Sequence, residues 1–432
     1  MFGGRRQQKP DSVMRAGVRR HRPDYQIVLY MGLLMLLGLV IMYAIGPQRA
    51  NVLNNAYGTD YYTSMYFFIK QSASLLLALG AFLVLALTPF SWIQKNAGKI
   101  LLAGFGACLV LAIAAWLNLG IAQCSLGACR WFDLGPLGSV QPAEFLKFGM
   151  LVFMAGFLGM RMRQGLVNDL HKTLIPLGVV TLIAVIFVIG IQEDMGTGIA
   201  MLAIISCMMV VAGVSKKVGA LLLAGLVTLG ALLIVVAPHR VERITTFLAG
   251  DTHQSATADD AGYHIAHAKI AIGSGGLLGV GIGNSVQATG YLPEAINDSV
   301  FAIMGETFGF VGLTVILLLF TVLLIRLLKL IDHLPQPWMK LAVSGVFGWL
   351  AAHVILNVAA MIGVFPLTGI TLPLLSFGGT SMVFIAGALG LAFQLSRFAV
   401  HGLNKEEGYE NSGSRRGIGR PRYTSRSGSS RA

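Results

Sequence analysis

From residue 25 almost to residue 400, apolar residues come in long runs broken by short polar or glycine-rich links. A hydrocarbon core about 30 Å thick is crossed by roughly 20 helical residues, so each run predicts one span. The runs fall at 25–45, 67–88, 99–119, 145–160, 173–191, 197–213, 217–237, 302–328, 340–362 and 380–398. The expected fold class is all-α, a polytopic integral membrane protein of ten transmembrane helices. An even number of crossings returns the chain to its starting side. Several runs are short or rich in glycine, as close helix packing in lipid requires. The first run lacks a small-x-small cleavage site after it, so it is expected to stay as a span rather than leave as a signal peptide.

Composition agrees: 55% of the 432 residues are hydrophobic and 12% are charged, about half the charged share of a soluble domain. The formal charge of +13 suggests nucleic acid only until its placement is read. Of the 32 Lys and Arg, 25 fall in the tails and in alternate links if the N-terminus is cytoplasmic, and 7 fall on the other side. That asymmetry orients a membrane protein with both termini in the cytoplasm, whereas nucleic-acid binding calls for a basic face on a soluble module. Carboxylates run the other way: 12 of 19 lie on the outer side. Acidic residues contribute little to orientation, so either outward function or ordinary solvated loop accounts for them.

The organisation follows. Residues 1–23 and 401–432 read as basic disordered cytoplasmic tails drawn to anionic headgroups, flanking a membrane domain at 24–400. Its longest link, 238–300, is extracytoplasmic, polar at first and then glycine-rich through 271–283. Connections of that length are functional or disordered. The glycine spacing there resembles a dinucleotide motif but follows no strand, so a nucleotide fold is rejected. Cys124 and Cys129 lie in an outer link where an oxidising compartment would permit a disulfide; their spacing is not that of a zinc site.

Ionisable groups at membrane depth cost roughly 2.5–3.5 kcal/mol on insertion scales and imply function by default. Four segments carry such groups or broken backbone. In Arg130-Trp131-Phe132-Asp133 followed by Gln141-Pro142-Ala143-Glu144-Phe145-Leu146-Lys147, Pro142 suits a helix start. Glu144 and Lys147 then share a face, either to hold helices together or to cradle an anionic headgroup. Gln192-Glu193-Asp194 makes a tight turn in which Asp194 either caps the next helix or serves the site. Tyr291-Leu292-Pro293-Glu294 leads to Asp298. A helix there would place Glu294 and Asp298 at i and i+4; the plain alternative is Asp298 as a cap. The stretch 365–381 is apolar yet holds two Pro and three Gly. Broken backbone at that depth survives only when buried in protein or lining a cavity.

Together these segments resemble the SEDS family, which includes FtsW, RodA and SpoVE. The resemblance covers about residues 22–400 and rests on Gln-Pro-x-Glu-x-x-Lys at 141–147, Gln-x-Asp-x-Gly-Thr at 192–197, Leu-Pro-Glu-Ala-x-x-Asp at 292–298, and Pro-Leu-Thr-Gly-Ile-Thr-Leu-Pro from 366. Gly-Ile-Gly-Asn-Ser-Val-Gln at 281–287 is more like the cell-division branch, FtsW, than like RodA. The family usually has Pro at Glu193, Gln at His264, His-Thr at Ile296-Asn297, an aromatic at Ser299, Glu at Thr307 and Gln at His353; the carboxylate at Asp298 is retained.

The resemblance implies a SEDS-type fold with its long loop between helices 7 and 8. It also implies a peptidoglycan glycosyltransferase that polymerises lipid II during septal wall synthesis. Lipid II would be the acceptor, and a glycan on undecaprenyl diphosphate the donor. Diphosphate is already a good leaving group, so the reaction needs one base for the attacking hydroxyl and cations for the departing charge. Asp298 is the expected base. Arg130, Trp131, Glu144, Lys147, Arg243, Lys269 and Glu294 are the expected substrate contacts. A divalent cation, Mg or Mn, could bridge the diphosphate, although no carboxylate cluster compels it. A class B penicillin-binding protein of the FtsI type and other division proteins are the implied partners, with no nucleic acid. A lipid II transporter or a non-catalytic division scaffold are the alternatives.

Overall fold

The computed structural model describes residues 22–125, 128–135, 138–221, 224–225, 228 and 261–400. Most of the seventh predicted span (217–237), Arg243 and nearly all of both tails lie outside them. Nine helices among the described residues are long and apolar enough to cross a membrane. They are α1 (Tyr25–Tyr57), α2 (Tyr66–Leu87), α3 (Phe90–Trp116), α4 (Pro142–Gln164), α5 (Leu170–Ile191) and α6 (Met195–Ala212). After α7 (Ala261–Ser274) come α8 (Val300–His333), α9 (Pro337–Met361) and α10 (Gly379–Ser396).

Local chemistry sets their ends. Asp24 caps α1, its carboxylate accepting from Gln26 N, and Gly58 closes that helix in the left-handed conformation. Proline opens α4 and α9, where a missing N–H costs nothing. α1 runs on through Pro47 to Tyr57, well past the predicted end at 45.

The all-α expectation needs one addition. Between α3 and α4 lies a three-stranded antiparallel sheet, β1 (Ala122–Ser125), β2 (Ala128–Asp133) and β3 (Ser139–Val140). Cys124 pairs with Cys129 across β1 and β2, and a disulfide joins them.

α4, α9 and α10 are the most buried spans and α2 is the least. Asp24 N donates to Ser396 Oγ (2.8 Å), while its carboxylate pairs with Arg326 (3.2 Å). The start of α1 and the ends of α8 and α10 therefore meet at one end of the bundle. The beginnings of α4, α8 and α10 gather at the other.

Two glycine positions matter. Inside α8 the helix breaks at Gly309 (φ 66°, ψ −168°), a backbone state that favours glycine. The amides of Phe310 and Val311 turn to the Gly276 and Leu277 carbonyls (2.9 and 3.1 Å), and the Glu306 and Thr307 carbonyls accept from Val280 and Gly281. The glycine-rich stretch is thus stitched to α8, which satisfies backbone groups that lipid cannot. Gly390 is a close-packing position: a methyl group there would strike the Phe82 carbonyl oxygen and sit 3.0 Å from Phe82 Cα. Gly390→Ala is expected to destabilise the α2–α10 contact by about 1–3 kcal/mol. The readout is the thermal midpoint in detergent, and an unchanged midpoint contradicts this packing.

Candidate active site

The turn carrying Asp298 sits at the start of α8. Residues 291–299 are turns, not the helix that would align Glu294 with Asp298. Glu294 adopts a left-handed backbone (φ 50°), its carbonyl accepts from Asn297 N (2.9 Å) and Ser299 N (3.2 Å), and the Asn297 amide bonds its carboxylate. Glu294 is exposed and Asp298 half-buried, so the two carboxylates occupy different surroundings. Ser299, not Asp298, holds the cap position of α8, and it makes no side-chain cap bond.

Three elements fix this turn. From α9, Asn357 Nδ2 donates to the Asp298 carbonyl (2.7 Å). From the stretch before α10, Phe377 N donates to Ile296 O (2.8 Å). From α7, His264 Nε2 lies 2.5 Å from Ser299 Oγ, which itself donates to Pro293 O (2.8 Å). Ser299 spends its one hydrogen on Pro293, so His264 is the donor.

A second group lies on α4 and α9. Lys147 Nζ pairs with Glu144 Oε1 at 2.8 Å, with side-chain exposures of 0% and 3%. The same ammonium is 3.1 Å from His353 Nε2 and 5.0 Å from the centre of the Trp349 ring. Trp349 Nε1 also donates to His353 Nε2 (3.2 Å). Both neighbours are donors, so Nε2 accepts and the ring proton is on Nδ1, facing the Thr371 carbonyl at 3.4 Å. Glu144 and Lys147 therefore form a buried pair in this conformation, not an open cradle.

Arg130, on β2, sends Nε to Gln192 O (3.2 Å) and a terminal nitrogen to Glu193 O (3.0 Å), gripping the α5–α6 turn. Trp131 beside it is partly buried. Asp194 caps α6 by accepting from Thr197 N (2.8 Å), and it also takes the Gln141 amide (2.6 Å) just ahead of α4. Its capping and bridging roles coexist.

The interrupted stretch 363–378 brings the groups together. His353 and Asn357, one turn apart on α9, reach adjacent carbonyls in it: Thr371 for His353 (3.4 Å), and Ile370 for Asn357 (2.7 Å). The Lys147 network and the Asp298 turn are thus joined across two peptide units. Thr380 at the start of α10 bonds Ser139 O (2.8 Å). A side chain at Gly196 would meet Thr368 O at 2.6 Å. All four segments singled out in the sequence converge at one end of the bundle.

Of the remaining expected contacts, Lys269 is exposed on α7, its stem lying against Gly363, and Arg243 falls outside the described residues. Sequence reasoning missed Asn357 as a clamp. It noted His353 only as a departure from the family pattern. A histidine and an asparagine four apart in an apolar span were the available signal. It also missed the role of buried Glu306, whose carboxylate accepts from Ser285 Oγ (2.5 Å), Val286 N (3.0 Å) and Gln287 N (3.2 Å), tying that loop to α8. Among the described residues no three His, Cys, Asp or Glu side chains gather as a metal cage. A cation on the diphosphate would draw its ligands largely from the substrate itself.

Residues 25–401 match the family model for the cell cycle proteins FtsW, RodA and SpoVE. The chain belongs to this family. Stage V sporulation protein E of Bacillus subtilis is 31% identical over 387 residues, spanning 88% of this chain and 99% of that protein. The probable peptidoglycan glycosyltransferase FtsW of Saccharophagus degradans is 31% identical over 378 residues, 87% of this chain and 92% of its own. Among solved structures, RodA of Thermus thermophilus superposes with a TM-score of 0.61 at 26% identity, covering 88% of this chain and 98% of RodA. A chain of a peptidoglycan synthase complex, solved to show how polymerization and crosslinking are coordinated, gives 0.63 at 25%, covering 87% and 98%. Like its FtsW, RodA and SpoVE relatives, the chain is a multi-pass membrane protein.

Proposed function

We propose that this member of the FtsW/RodA/SpoVE family is a peptidoglycan glycosyltransferase that polymerises lipid II into glycan strands, with Asp298 as its general base. The observation that carries the reading is the meeting of the Asp298 turn and the Lys147 network on the Ile370 and Thr371 carbonyls. A rigid, irregular backbone so placed holds a half-buried carboxylate at the end of the bundle away from Asp24 and Ser396. The start of α1 and the end of α10 meet at the latter end, which the Lys and Arg asymmetry of the sequence assigns to the cytoplasm, so Asp298 faces outward.

The chemistry balances without a second carboxyl acid. A hydroxyl of the acceptor sugar attacks the anomeric carbon of the donor glycan as its proton passes to Asp298. The bond from that carbon to the diphosphate oxygen breaks, and the electron pair leaves on the undecaprenyl diphosphate. Exposed Lys269 on α7 meets that developing charge. Arg130 keeps the α5–α6 turn in place and contacts the headgroup beside Trp131. Glu144 and Lys147 hold α4 to α9 behind the site. Septal synthesis and a class B penicillin-binding partner for crosslinking accord with the FtsW-named relatives and the synthase complex of similar fold.

Purified protein in vesicles, given fluorescent lipid II and no other glycosyltransferase, is expected to build long glycan chains. Movement of labelled lipid between leaflets with no polymer formed would instead favour a transporter.

A further inference from the structure

We infer that Asn357 positions the base, acting on the reaction only through Asp298. The side chain is 1% exposed, in the last turns of α9. Its Nδ2 donates to two carbonyls at 2.7 Å each, those of Asp298 and Ile370. An amide nitrogen carries two hydrogens, and both are used. Its Oδ1 has no hydrogen-bond partner among the described residues, so the two carbonyls alone fix the orientation of the amide. The flipped amide would set oxygen against two oxygens.

Irregular backbone within a membrane protein needs donors for its carbonyls, and Asn357 supplies them at one point. One of the two carbonyls belongs to the base itself. The other belongs to the stretch that His353 also touches through the neighbouring Thr371. One buried amide therefore ties the Asp298 carbonyl itself to the interrupted stretch, while the Phe377 bond holds the turn two residues earlier, at Ile296. The inference rests on Asp298 being the base: misplacing a reacting group by about 1 Å can cost on the order of 100-fold in rate.

Asn357→Asp keeps the size and replaces the double donor with oxygen. The full-length purified enzyme, with labelled lipid II, is expected to lose about 10- to 100-fold in kcat and to hold KM within about twofold. The deciding arm is the same substitution in an Asp298→Asn background, where it should cost nothing further, because a positioning residue has no effect once its base is gone. A merely structural residue would lower both backgrounds alike, and that result overturns the inference. If Asn357→Asp does not accumulate, Asn357→Ser retains one donor and should give an intermediate kcat; wild-type kcat in a folded Asn357→Ser protein overturns the inference as well. Inactive Asp298→Asn beside a folded Asn357→Asp enzyme of wild-type kcat refutes the positioning alone. Wild-type kcat in Asp298→Asn refutes the base assignment, and the inference with it.

Discussion

Lys147→Met is expected to destabilise the folded membrane domain by about 3–5 kcal/mol, because it leaves a carboxylate buried without its counter-ion. Glu144 pairs with Lys147 at 2.8 Å, and its other oxygen, Oε2, finds no hydrogen bond among the described residues. The substitution also removes the cation from the Trp349 ring and one donor from His353. Methionine fills similar space, so the loss is chiefly electrostatic. Removing both charges should recover much of it, since a buried pair replaced by apolar residues of like volume is often neutral or stabilising. Thermal midpoints of Lys147→Met, Glu144→Met and the double variant test this as a cycle. A single Lys147→Met variant that melts like the wild type contradicts a buried pair.

Asp298→Asn is expected to lower kcat by about 10²- to 10⁴-fold, the usual contribution of a positioned proton acceptor. Folding should be spared for a specific reason. The clamp from Asn357 is made to the Asp298 main-chain oxygen, and the Phe377 bond goes to Ile296. Both survive the exchange of carboxylate for amide. The expected signature is therefore an unchanged melting curve and a near-normal KM with a collapsed kcat, the pattern of an interaction used in the transition state. Equal losses in melting temperature and rate would instead mark Asp298 as structural.

Much of the architecture was legible because lipid makes a simple demand. Apolar length alone placed the sixth span at 197–213, against Met195–Ala212 in the structure. Helices that leave the hydrocarbon were harder to read. α8 continues to His333, beyond the predicted 328, past the point where Arg326 pairs with Asp24. α1 passes Pro47, a residue that ordinarily ends a helix. The sheet between α3 and α4 has strands of six residues or fewer, too short for alternation to register.

In the site, local pairs could be read and distant ones could not. Spacing alone predicted that Glu144 and Lys147 would meet, whereas the contact between Lys147 and His353 spans 206 positions. The 291–299 stretch looked compatible with helix. Its actual course is held by bonds from Asn357, Phe377 and His264, none of them within reach of a local pattern. A left-handed Glu294 is a tertiary outcome of that kind.

The most direct test of catalysis from position 298 is the product ladder that purified full-length protein makes from fluorescent lipid II, run beside its Asp298→Asn variant at matched folded concentration. The wild type should give long glycan strands, and the variant should leave nearly all of its lipid II unreacted over the same time. Strands of equal length and yield from both would contradict the account.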